Sequence, residues 1–172
     1  MSSGVLVSEE EYLNTVYEPD CEYEDGVLID RNVGEKDHGR LQVLIGSYFV
    51  QWEKLWNIEA YIALTHRIRK GKYMVADVCA FRLPSPDKQI PSTPPLIWIE
   101  ILARVDRYIR VYKKVRQVLE FGVPNIWLID AETLEAEIHT SQGSLMIKDG
   151  IMRVADTPIE VPLHGLREAS LG

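Results

Sequence analysis

The chain has 172 residues, the size of one domain. Hydrophobic residues make up 46% and charged residues 26%, which excludes a disordered, collagenous or low-complexity chain. With 19 basic and 26 acidic residues the net charge is −7, which argues against non-specific coating of nucleic acid. No apolar run approaches the roughly 20 residues of a membrane-spanning helix. The first residues lack a basic stretch leading into an apolar one, and Cys21 and Cys79 form no Cys-x-x-Cys pair. The expectation is a cytoplasmic protein with no membrane segment, disulfide framework or zinc ribbon.

Ser8 and Glu11 have capping-box spacing, which predicts a short helix through Tyr12 to Val16, ended by Pro19-Asp20. Glu22 to Arg31 reads as two strands or one bent strand, with a turn at Asp25-Gly26. Asp37 can cap a longer helix that begins near His38 and carries Leu41, Leu44, Ile45, Tyr48, Phe49 and Trp52 on one face. Ile58 to Leu64, His66 to Arg69 and Met74 to Leu83 look extended. A proline-rich loop from Pro84 to Pro95 leads to a strand over Leu96 to Leu102. A basic helix follows to Phe121, with Gly122 as its C-cap. Asn125 to Ile129 is a third apolar strand, and Leu134 to Thr140 with Leu145 to Ile147 form a hairpin. The chain from about 150, with Pro158, Pro162 and Gly165, reads as irregular. The whole of 1–172 is read as one α/β domain, a mixed sheet flanked by helices.

Two residues point to chemistry. Asp77 and Glu100 are each the only charge in a strand that otherwise reads as core. A buried carboxylate must be paired, protonated or metal-bound. For either acid alone, emergence at a strand end or pairing with a lysine or arginine is the plainer reading. If their strands are neighbours, the two carboxylates could share one divalent cation, Mg²⁺ or Mn²⁺, an arrangement suited to phosphodiester hydrolysis. From Arg104 to Arg116 six basic residues face the single acid Asp106, a local excess that suits an anionic partner. Plotted as a helix, Val105, Tyr108, Ile109, Val111, Tyr112, Val115, Val118 and Leu119 fill one face; Arg104, Arg107, Arg110, Lys113 and Lys114 fill the other, with Gln117 on the same polar side. That basic face either holds phosphates or only keeps the helix soluble.

The chain resembles the Uma-two-like restriction endonucleases of the PD-(D/E)XK nuclease superfamily. The resemblance runs from Ser8 to about Thr140. It is carried by Ser8 to Leu13, Glu22-Tyr23-Glu24-Asp25-Gly26, His38, Ala76-Asp77-Val78, Pro94 to Leu102, Lys114 and Gly122 to Asp130, by order and spacing together. It departs from the family pattern at Ala76 for proline, Ala103-Arg104 for Ser-Pro and Val118 for tyrosine. Leu102 stands where the superfamily's Glu-x-Lys places lysine.

The resemblance implies a restriction-endonuclease-like fold and Mg²⁺- or Mn²⁺-dependent hydrolysis of DNA. Asp77 and Glu100 would be metal ligands, with Glu22 as an extra ligand or a surface acid. Lys114 would stabilise charge at the phosphate or be one more solvated lysine, and His38 would touch the site or simply cap its helix. Arg107, Arg110, Lys113 and Gln117 are the expected nucleic-acid contacts. Trp98 and Trp127 are assigned to the core. The alternative is a nuclease-fold protein that binds nucleic acid without cutting it; a carboxylate-dyad glycosidase is the weakest reading, since no aromatic-lined cleft is marked. A homodimer would supply two sites for two-strand cleavage, but no residue marks it.

Overall fold

The computed structural model describes residues 5–31, 34–103 and 108–170. Helix α1 (Glu9–Asn14) starts at the Ser8 cap: the Glu11 N–H donates to the Ser8 hydroxyl, and three glutamates occupy the first turn. Strands β1 (Cys21–Glu24) and β2 (Val27–Asp30) turn at Asp25 and Gly26, at φ 48° and 95°. Positive φ at both central residues gives the turn a twist that matches the strands. Helix α2 (Lys36–Trp56) begins slightly before the expected start. Its N-cap is Glu35, and Asp37 lies in the first turn, where its charge complements the helix dipole. The helix stops at Asn57, left-handed at φ 54°, whose N–H donates to the Glu53 carbonyl.

The two extended segments expected after α2 are one strand, β3 (Ile58–Arg69), paired antiparallel with β4 (Lys72–Arg82). Gly46 lets α2 settle on β3, since a Cβ there would lie 2.9 Å from Ile62 Cγ2. Strands β5 (Ile97–Leu102) and β6 (Asn125–Asp130) run parallel, connected through α3 (Tyr108–Phe121). Helix α3 ends in a Schellman motif: Gly122 has φ 108°, its N–H donates to Leu119, and the Val123 N–H donates to Val118. Strands β7 (Ala136–Thr140) and β8 (Gly143–Ile147) complete a mixed sheet of order β2-β1-β4-β5-β6-β7-β8, with β3 also on β4.

The chain beyond 150 is not irregular. It forms β9 (Ile151–Arg153), β10 (Glu160–Pro162) and α4 (Leu163–Ala169). Met152, Val154, Ile159, Val161 and Leu163 are buried in the core that α2 covers. Prolines and a glycine suggested loop, but long-range burial orders the segment. Leu41, Ile45, Phe49 and Trp56 of α2 pack in that core on Val78, Ala80, Ile97, Ile99 and Trp127. Val115 and Val118 of α3 pack in a second core with Cys79, Phe81, Trp98 and Ile126.

Strand β4 carries an irregularity that matters for the site. Val78 and Ala80 join the α2 core, yet Met74 and Ala76, also at even positions, join the α3 core. The period-two alternation therefore slips around Asp77. On the neighbouring strand, Ala63 lies between the pairs Ile62–Val78 and Leu64–Ala76 and has φ 49°. The kinked backbone sits opposite Asp77. Among the described residues no helix is long and apolar enough to cross a membrane.

Candidate active site

A strand has two hydrogen-bonding edges, and β3 takes one edge of β4 along its length. The other edge is shared. Strand β1 pairs with Tyr73 and Lys72 at its start, and β5 pairs with Val78, Cys79 and Ala80 near its end. Between them the ladder is open from Met74 to Asp77. Buried backbone groups need partners, and here side chains supply them. The Val75 N–H donates to Glu22 Oε1 at 2.9 Å, and the Val75 carbonyl accepts from Lys114 Nζ at 3.0 Å. The Asp77 carbonyl accepts from Gln42 of α2 at 2.8 Å, and Asp77 Oδ2 accepts the Ile101 N–H at 2.8 Å. The gap is a cavity of about 60 Å³ lined by Glu22, Arg31, His38, Asp77, Glu100 and Lys114, with Leu102, Arg110 and Val111 at its wall.

Lys114 ties the acids together. Its Nζ lies 2.6 Å from Glu22 Oε1 and 2.7 Å from Glu100 Oε1. With the Val75 carbonyl, these partners use all three ammonium donors. The Trp98 indole N–H donates to the same Glu100 oxygen at 2.6 Å. Asp77 is held from two sides: Arg31 donates to Oδ1 at 2.8 Å, and His38 Nε2 is 3.3 Å from Oδ2. Arg31 also reaches the exposed Asp20, at 2.5 Å.

The electrostatics follow from burial. Glu100 is pushed up to about 7, first by desolvation and then by the charges of Asp77 and Glu22, against the pull of Lys114. Asp77 goes the other way: burial opposes its charge, but His38, Lys114 and the Ile101 N–H together hold it below the usual carboxylate range. Burial disfavours a charged Lys114, yet Glu100, Glu22 and Asp77 outweigh it and raise its pKa. His38 is likewise raised, because the Asp77 carboxylate overcomes desolvation.

The structure brings Asp77, Glu100, Glu22 and Lys114 together. Glu22 is buried rather than a solvated surface acid. Lys114 does not share the exposed basic face: it lies at one-turn spacing within the inward stripe Val111, Lys114, Val115, Val118, while Ile109, assigned to the apolar face, is 87% exposed. A helical plot ranks residues by polarity, and a lysine whose ammonium meets buried carboxylates violates that ranking. His38 is buried against Asp77, more than a helix cap. Of the expected nucleic-acid contacts, Arg110 is exposed at the cavity wall and donates to the Asp30 carbonyl; Lys113 is exposed and Gln117 half-buried. Arg107 lies outside the described residues.

Sequence reasoning missed Arg31, Gln42 and the polar task of Trp98. Trp98 had a signal: two residues before Glu100 on one strand, it shares that face. Arg31 had only its position after a short strand, and Gln42 only its place on α2. Leu102 lines the cavity without charge, and Lys114 brings an ammonium to Glu100 from α3 instead. Val118, in the place of a family tyrosine, is a fully buried core residue. Trp127 is core, as expected.

The donor set fits a hard divalent cation. Asp77, Glu100 and Glu22 offer carboxylate oxygens to one cavity, and the upward push on Glu100 by the other two acids is a repulsion that a dication would relieve. Among the described residues no three acids, histidines or cysteines form a ready-made cage. Mg²⁺ commonly uses only one or two protein carboxylates, completing its shell with water and phosphate.

A search of curated proteins finds no match. Among solved structures, the crystal structure of "a putative nuclease belonging to DUF820" from Anabaena variabilis is similar at 21% identity and TM-score 0.78, covering 94% of this chain and 98% of that one. It shows the same fold. A DrdV–DNA complex aligns with 78% of this chain and 12% of its own at 11% identity and TM-score 0.42. The Uma2 family model, described as "Putative restriction endonuclease", matches residues 10–166, and with that span this chain belongs to the Uma2 family.

Proposed function

We propose that this protein is a divalent-metal-dependent endonuclease that hydrolyses DNA phosphodiester bonds, built as one domain over residues 1–172 and working in the cytoplasm. The observation that carries the reading is the single Lys114 ammonium bonded to Glu22 and Glu100 in the cavity that Asp77 lines. Asp77 and Glu100 would hold Mg²⁺ or Mn²⁺, with Glu22 as a further oxygen ligand. The bound ion would polarise the phosphate and lower the pKa of an attacking water.

The chain's own residues do the rest. Lys114 orients the Glu22 and Glu100 oxygens and sets a fixed positive charge beside the position of a phosphate, where negative charge grows in the transition state. Trp98 locks the Glu100 rotamer, and the Ile101 N–H and His38 fix Asp77. Arg110 and Lys113, with Arg107 and Gln117, would receive the DNA backbone along α3. A homodimer would supply the second site for two-strand cleavage.

The test is supercoiled-plasmid nicking with Mg²⁺ and with Mn²⁺, each variant first checked for its fold by circular dichroism. The native protein should nick the plasmid, and EDTA or Asp77→Asn should abolish it. Lys114→Met, which keeps the buried bulk, should lower cleavage roughly 100-fold or more. Exposed Lys54→Ala on α2 should leave it unchanged. No cleavage by the native protein on varied DNA and RNA would select the second reading, a nuclease-fold protein that binds without cutting. The observation that favours it is the full engagement of Asp77 by Arg31, His38 and the Ile101 N–H.

A further inference from the structure

We infer that Arg31 is a built-in competitor for the metal, a resident cation on Asp77 that must withdraw before a divalent ion binds there, with Asp20 as its anchor outside. The inference rests on the reading of Asp77 and Glu100 as metal ligands, and it deepens that reading into a mechanism of control.

Arg31 stands directly after β2, and its fork bridges two carboxylates of opposite exposure. One nitrogen meets Asp77 Oδ1 at 2.8 Å, where both side chains are under 10% exposed. The other meets Asp20 Oδ2 at 2.5 Å, and the Asp20 side chain is 55% exposed. Asp77 Oδ2 already receives the Ile101 N–H and faces His38, so Oδ1 is the oxygen left for a new ligand, and Arg31 takes it. The guanidinium cannot leave its charge behind, because it stays protonated at any working pH. A dication beside it meets both a blocked oxygen and like-charge repulsion.

Asp20 makes withdrawal feasible. Arg31 can release Asp77 and turn both nitrogens of its fork onto the Asp20 carboxylate, a bidentate pair nearer solvent. In this proposal two arrangements compete, Arg31 inward with one nitrogen on each acid, as in the structure, or outward with both nitrogens on Asp20, and the ion favours the second. An ion that binds only the outward arrangement loses apparent affinity by the fraction of molecules in that arrangement. If about one molecule in ten is outward, removing Arg31 tightens binding about tenfold. Weakening the outer anchor acts in the opposite direction. This opposition separates competition from a merely structural role, in which both substitutions would loosen the site.

The experiment measures Mn²⁺ binding by electron paramagnetic resonance of the free ion on the full chain. It compares the native protein, Arg31→Ala, Asp20→Asn, the double variant and Asp77→Asn, each checked by circular dichroism. Arg31→Gln repeats the Arg31 measurement while keeping bulk and a hydrogen-bond donor. The expected result is binding about tenfold tighter for Arg31→Ala and Arg31→Gln, and a few-fold weaker for Asp20→Asn. The double variant should match Arg31→Ala, because Asp20 acts only through Arg31. Equal or weaker Mn²⁺ binding by both Arg31 variants, with binding still lost in Asp77→Asn, overturns the competition and leaves the metal site standing. No Mn²⁺ binding by any of the proteins overturns both.

Discussion

The two long helices cover the sheet in different ways, and the difference marks out the candidate site. Helix α2 turns a broad apolar stripe onto the sheet, with Leu41, Ile45, Phe49 and Trp56 buried; near its start His38 and Gln42 reach Asp77, and near its end Glu53 accepts the Ala60 N–H. Helix α3 has a narrower stripe, with Val115 and Val118 buried, and places Lys114 inside it. One side of the sheet carries the larger apolar core. On the other side, an open stretch of ladder accepts charged side chains where apolar packing would be more stable. A catalytic cavity needs such a place, since a fully paired and fully apolar sheet has no room for a phosphate or an ion.

The comparison can be broken from the packed side first. Phe49→Ala leaves a cavity among Trp56, Trp127 and the sheet, and should lower stability by about 4 kcal/mol in urea unfolding. A loss below about 1 kcal/mol would show that α2 is not the stabilising layer.

Lys114→Met tests the other side. It removes the cation that serves three buried acids and should cost about 3 kcal/mol at pH 8. Adding Glu100→Gln removes one of those acids and should recover part of the loss. A cost on the double variant equal to the sum of the two single costs would mean that the groups are not coupled.

Glu100→Gln alone sharpens the point through pH. Burial, with Asp77 and Glu22 beside it, pushes the native Glu100 up to about 7 from its ordinary value of about 4.5. The folded state therefore binds a proton more readily at Glu100, and the contribution of this group to stability falls as pH rises from about 4.5 to about 7. Glu100→Gln removes that loss, so its stability relative to the native protein should improve by about 3 kcal/mol from pH 4.5 to pH 8. A difference independent of pH would place Glu100 outside the coupled cluster.

The smallest effect belongs to the outer face of α3. Arg110→Ala with Lys113→Ala should change stability by less than about 0.5 kcal/mol, since both are exposed. It should weaken DNA binding across sequences and reduce the slope of log affinity against log salt by about 0.9 for each lost phosphate contact. An unchanged slope would make this face a solvating surface only.

Local patterns were readable without coordinates. Ser8 with Glu11, Asp25-Gly26 and Gly122 each start, turn or stop an element through their own backbone chemistry, and each does so in the structure. Asp77 and Glu100 could be picked out because a lone charge in an apolar strand is conspicuous in one dimension. The inward placement of Glu22, Lys114 and His38 could not be read in that way. Each is an ordinary polar residue in a polar or amphipathic segment, and only a partner distant in sequence makes its burial tolerable. Arg31 was overlooked for the same reason: its partner Asp77 is 46 residues away. The C-terminal segment was misread because its order comes from the α2 core and not from its own propensities.

The sequence by itself determined most of the elements up to about Thr140, the family likeness and the acids that interrupt the central strands, because capping, turns and hydrophobic period act between near neighbours. The tertiary structure alone decided that β1 and β5 leave an open stretch on one edge of β4, that β4 slips its side-chain alternation at Asp77, and that α3 turns Lys114 inward. Those are consequences of strand pairing across the chain, where unpaired backbone groups and buried charges must satisfy one another.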